Sequence, residues 1–289
     1  MSLLELFCYV DTFCQAFLPQ WNQQVRAHGQ RVRQRAGQLA PSEIMTILIR
    51  FHQLRFRDFK TYYVAYVLGH LHREFPQAVS YQRFVELAPS TLGPLCAYLS
   101  TCLGACSGLS FVDSTALAGC QNRRIPRHRV FRDLAQRGKT SMGWFYGCKL
   151  QGRVAGLSAH TRQRRRPPTR AQTGGTAVGR LFGDKGYLSQ PLTHTLFQTR
   201  RGSLVTHLRR KMINRLLLLH NKVLLRRRAL IETVFDQLKH LLQVEHARHR
   251  SPTNFAVNLV AGLVAYCHQP KKPSIFRGGR PQLATVIPN

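Results

Sequence analysis

Acidic residues are the scarcest chemistry in this chain. Its 289 residues hold 12 Asp plus Glu against 43 Lys plus Arg, a formal net charge of +31. Such a surplus excludes a cationic partner and selects a polyanion. Long apolar runs are also missing: none approaches the ~18 residues of a membrane span. The first residues carry Glu5 and Asp11 and lack a basic n-region, so a secretory signal is not expected. With neither anchor nor span, nucleic acid is favoured over an acidic membrane surface. The eight cysteines include no C-x-x-C pair, which excludes a zinc finger and leaves reduced, buried thiols. His246 and His249 have ligand-like spacing but no further ligands nearby, and read better as a basic contact strip with Arg248 and Arg250. No internal repeat is visible. What is plentiful is apolar content, at 44%, which excludes a disordered basic tail.

Residues 1–107 read as a helical region with a possible DNA-binding role, or equally as a scaffold. Pro41-Ser42-Glu43 opens an amphipathic stretch through Ile44, Ile47, Leu48, Phe51 and Leu54. Further helices are predicted over 62–72 and from Ser80, with a charge run over 26–35 between the first two. From Gly108 the texture changes. Short strands are predicted at 109–112, 144–150, 178–182 and 203–206, followed by one long helix over roughly 222–244. Strands interleaved with helices predict an α/β domain with a mixed sheet over 108–270, and 271–289 reads as a basic tail.

Because acids are so few, each survivor is informative. After Asp133 only Asp184, Glu232, Asp236 and Glu245 remain. Asp113 and Asp184 each follow a short apolar run, and strand ends are where open α/β sheets collect ligand-handling groups. On the long helix, Leu224, Ile231, Phe235, Leu238 and Leu242 mark the buried stripe, with Arg228, Glu232, Asp236 and Lys239 on the polar side. Two strand-end aspartates and a helix glutamate suit Mg²⁺, whose ligands are oxygens. Two such ions about 4 Å apart can activate a nucleophile and stabilise the leaving oxygen of a phosphodiester. Spacing alone equally allows turn and cap aspartates and surface ion pairs.

The strings FVDST (111–115), GKTSMGWFYGCKL (138–150), LFGDKGYLS (181–189), RRRALIETVFDQLK (226–239) and HARHRSPTNF (246–255) together resemble the insertion-sequence-982 family of bacterial DDE transposases. PSEIMTILIRFH (41–52) and SYQRFVEL (80–87) extend the likeness over nearly the whole chain. The resemblance implies a ribonuclease-H-like catalytic domain behind a helical N-terminal region. It places Asp113, Asp184 and Glu232 as the catalytic, metal-binding acids for Mg²⁺ or Mn²⁺. It implies strand cleavage and strand transfer on double-stranded DNA, with terminal inverted repeats and a target as partners. It also implies a homo-oligomer on DNA and a cytoplasmic, nucleoid-associated location. The related insertion-sequence-4 group carries Tyr-x2-Arg-x3-Glu-x6-Lys around the glutamate. Arg228, Glu232 and Lys239 fit that spacing and are expected on phosphates, while Leu225 holds the tyrosine position. Lys185 and Tyr187, beside Asp184, are further candidates for the DNA backbone.

One segment departs from the family. Where such transposases carry a stretch like L-T-x-G-N-x-D-D-R, residues 157–177 hold no acid and no hydrophobic period. This segment is expected to be irregular, the product of a locally shifted reading frame restored near Val178, or else a basic insertion that tracks DNA. Two rival functions therefore stay open: an inactive remnant that only binds DNA, and a metal-dependent nuclease on the same fold.

Overall fold

The computed structural model describes residues 1–29, 37–103, 109–132, 134–140, 143–153, 156–160, 179–184, 203–206, 218–245 and 249–273. The chain divides into two compact units. One comprises Met1–Cys102 with Gln237–Lys272, the other Leu103–Asp236 with Pro273–Asn289.

The first unit is helical. α1 (Leu3–Ala27) starts at a reciprocal cap: the Ser2 hydroxyl accepts from the Glu5 amide and the Glu5 carboxylate accepts from the Ser2 amide. α2 (Pro41–Gln53) begins with proline at its first position, where no amide is needed, and Glu43 accepts from the Ala40 amide at 2.6 Å. Its predicted apolar stripe is buried, with Ile44, Ile47, Leu48 and Phe51 all at most 6% exposed. α3 (Phe59–Thr61), a π-helical stretch over Tyr62–Val67 and α4 (Leu68–His70) form the next segment. Phe51, Phe59, Tyr62, Tyr63 and Phe84 pack there with ring centroids 4.6–5.8 Å apart at their closest pairs. α5 (Tyr81–Leu87) starts at Ser80, as predicted, with the Ser80 hydroxyl as its cap, and α6 (Leu92–Cys102) follows.

The helical unit closes with a segment from the far end of the chain, a π-helical stretch over Gln237–Leu241 and then α9 (Pro252–Cys267). α9 packs on α2 and α6 because it is apolar on nearly every side: Val257, Ala261, Val264 and Ala265 are at most 1% exposed. His52 of α2 reaches the same segment, donating from Nδ1 to the Leu242 carbonyl at 2.6 Å. None of the described helices is long and apolar enough to cross a membrane.

The second unit holds a mixed sheet, six-stranded among the described residues. Its strands are β1 (Leu109–Cys120), β2 (Gln136–Thr140), β3 (Gly143–Arg153), β4 (Gly156–His160), β5 (Arg180–Gly183) and β6 (Ser203–Thr206). Their order is β2-β3-β1-β5-β6, with β4 paired to β3. β3 runs antiparallel to β1, β2 and β4, whereas β5 is parallel to β1 and to β6. Phe111 and Phe182, both 0% exposed, meet across β1 and β5 with centroids 5.5 Å apart. The expectation that 157–177 is irregular fails at its start, since 157–160 belong to β4. That ladder is made of backbone groups and needs no hydrophobic period. The rest of the segment lies outside the described residues, as does most of the charge run over 26–35.

Candidate active site

The parallel register of β1 and β5 brings the two aspartates together. It pairs Leu109 with Arg180 and ends with Val112 opposite Gly183. One residue further along the two chains come Asp113 and Asp184, on neighbours whose strands run about 4.8 Å apart. Asp184 does follow a strand end. Asp113 does not, because β1 continues to Cys120 in an antiparallel ladder with β3. The continuation, Ser114–Cys120, is small and weakly patterned, so nothing in its composition signals a strand. Asp113 therefore stands where β1 runs past the end of β5.

The Asp113 carboxyl is half-buried, and burial is the main force raising it above the usual carboxylate range. The Ser114 amide, donating to Oδ1 at 2.8 Å, and Arg228 pull it down, while Glu232 and Asp184 push it up. The Asp113 carboxyl thus senses the charges of both other acids.

The predicted long helix is broken. α7 (Leu219–Arg226) ends in a turn at Arg227–Arg228, and α8 (Ala229–Asp236) follows. Tight three-residue backbone bonds carry the turn, from Leu230 to Arg227 and from Ile231 to Arg228, both at 3.0 Å. α8 packs on β1, burying Ile231, Val234 and Phe235. From the turn, Arg228 donates to Asp113 Oδ2 at 3.2 Å and to Glu232 Oε1 at 2.9 Å. One guanidinium therefore joins the strand acid to the helix acid. The bond to Asp113 had no signal in the sequence, whereas the pair with Glu232 was among the surface ion pairs that spacing allowed for Arg228. Its spacing of four from Glu232 was the available signal.

The other predicted residues fall elsewhere. Lys239 lies in the helical unit, where Nζ pairs with Glu245 at 3.2 Å. Leu225, at the tyrosine position, is 2% exposed and serves the core. Lys185, Tyr187 and His246 lie outside the described residues. His249 does not join a basic surface strip: its ring packs edge-on against Phe255, and its buried Nε2 has no hydrogen-bond partner among the described residues. Burial pushes that imidazole down to about 4.

Residues 103–252 match the family model described as "Transposase DDE domain". That span is more than half of the chain and contains Asp113, Asp184, Arg228 and Glu232. The chain belongs to the DDE transposase family. No curated protein and no solved structure matches it. DDE transposases typically use divalent metal ions, and DNA is their substrate. The donor chemistry of this transposase fits such an ion, being carboxylate oxygens only, two of which already converge on one cation, the Arg228 guanidinium. Among the described residues, no group of three or more His, Cys, Asp or Glu side chains forms a metal-binding cluster.

Proposed function

We propose that this DDE transposase is of the insertion-sequence-982 type and moves its element by metal-dependent strand cleavage followed by strand transfer into target DNA. The mixed sheet with helices against it agrees with a ribonuclease-H-like catalytic unit. The observation that carries the reading is the β1–β5 register, which sets Asp113 beside Asp184 while Arg228 ties Asp113 to Glu232.

Asp113, Asp184 and Glu232 are the residues that would hold Mg²⁺ or Mn²⁺. Held by these residues, such an ion would supply activation of a water or 3′-hydroxyl and charge stabilisation of the leaving oxygen. The protein's own contribution is placement. Asp113 and Asp184 are fixed on adjacent backbone segments of a rigid sheet, and Glu232 is presented by α8. Arg228 neutralises the acids and offers a planar fork that also matches phosphate. Lys185, Tyr187 and Lys239 are the candidate contacts to the DNA backbone of the terminal repeats and target. The working form is a homo-oligomer that pairs two element ends in the bacterial cytoplasm, on the nucleoid.

Cleavage of terminal-repeat DNA with Mg²⁺ tests this reading. Parent protein should cut, and Asp113→Asn, Asp184→Asn and Glu232→Gln should each bind that DNA but leave it uncut. Normal cutting by all three variants would sink the assignment. Cutting without joining would leave a nuclease. Binding without cutting by the parent would mark an inactive remnant, which the acid-free departure at 157–177 favours as the second reading.

A further inference from the structure

The β2–β3 hairpin displays an aromatic ring for which the catalytic site has no use. Trp144 leaves 62% of its surface exposed. The chain's other tryptophan, Trp21, packs in the helical unit with its ring 5.6 Å from Phe17. Trp144 stands opposite Lys139 across the hairpin, and the Lys139 ammonium lies over its ring, 5.8 Å from the centroid. The backbone beneath is held firmly. Asn122 donates to the Trp144 carbonyl at 2.8 Å, and the next two residues, Phe145 and Tyr146, are buried. Exposed cations surround the hairpin on the same unit: Arg137 on β2, and Arg123, Arg124 and Arg127 on the short helix Asn122–Arg127, which packs on β3. Asp133 is the only acid between 114 and 153, and it lies outside the described residues.

An indole beside ammonium and guanidinium groups suits a partner with flat π-faces and phosphates. A second copy of the chain is a poor candidate, since it brings another +31 to a basic rim. In duplex DNA the base faces are covered by their neighbours, and only an unpaired base offers one. We propose that Trp144 and Lys139 form a stacking site for an unpaired nucleobase of single-stranded DNA. The proposal rests on DNA being the substrate. It places the contact away from the chemistry: Gly152 lies opposite Asp113, and Trp144 is eight positions from it along β3. At about 3.3 Å per residue that is roughly 26 Å, close to eight nucleotides of B-form rise.

Tryptophan emission tests it directly, because the parent signal minus that of Trp144→Phe isolates Trp144. Single-stranded oligothymidylate should quench this signal, and an abasic strand of the same length should leave it nearly unchanged. Trp144→Ala should weaken oligothymidylate binding roughly 5- to 150-fold, the range for losing one stacked base, without altering affinity for the abasic strand. Trp144→Phe, which keeps a ring, should retain most of the affinity. Equal responses to the two strands, or unchanged oligothymidylate affinity in Trp144→Ala, would overturn the proposal. So would a Trp144→Ala effect confined to sedimentation mass, which would make the ring a contact between copies. DNA cleavage with Mg²⁺ is read separately, so the transposase reading survives or fails on its own.

Discussion

Asp113 is held in a position that an ionised group resists. Burial raises its carboxyl even though the Ser114 amide and Arg228 pull the other way, so the charged form is a net cost to the fold. Arg228 offsets part of that cost by touching Asp113 and Glu232 at once. Asp113→Asn should therefore leave thermal stability unchanged or raise it, while Arg228→Ala should lower it by about 1 kcal/mol, the scale for a partly exposed pair. Thermal melts in metal-free buffer check both directions. The candidate acids stood out in the sequence because acids are so rare. The bond from Arg228 to Asp113 was not legible, since which distant partner an arginine takes depends on how α7 and α8 are joined, and no local pattern marks a break at Arg227–Arg228.

Strands with an apolar run were readable, and strands made by pairing alone were not. Phe111–Val112 and Phe145–Tyr146 announced β1 and β3, whereas the second half of β1, all of β2 and β4 exist through ladders that composition does not encode. The β1–β3 ladder also has a demanding spot. A register shift between Ala118 and Cys120 brings β1 so close to β3 that a Cβ on Gly147 would lie 2.0 Å from the Leu117 carbonyl oxygen. That neighbour is backbone and cannot step aside. Gly147→Ala should destabilise the sheet-containing unit by about 1–3 kcal/mol, the usual cost of overpacking, seen as a lower denaturant midpoint.

In the helical unit, a buried imidazole links α2 to the returning segment. Burial pushes His52 from 6.5 down to about 4. Between these values the unfolded chain binds a proton that the folded chain refuses. Stability is therefore full above about pH 6.5 and falls as pH drops towards 4, by up to about 3 kcal/mol for this group. His52→Gln keeps a donor for the Leu242 carbonyl and should remove about one proton from the slope of stability against pH.

At the scale of the whole molecule, charge dominates. With +31 on the chain, DNA affinity should fall steeply and linearly on a log–log plot against salt. Neutralising all three site acids at once should not weaken that affinity at any salt concentration, because it removes only repulsion. A filter-binding salt series compares the two proteins.

The helical unit is discontinuous in sequence, left at Cys102 and rejoined at Gln237. On the ribosome this imposes a waiting time. The apolar stripe of α2 is synthesised about 200 residues before α9 arrives to cover it, which at 5–20 residues per second is roughly 10–40 s. During that interval the second unit can complete its sheet while the helices lack their cover. A nascent chain released before residue 252 would thus carry the acids of the site but not a finished helical unit, and cells would receive it as a target for chaperones and proteases.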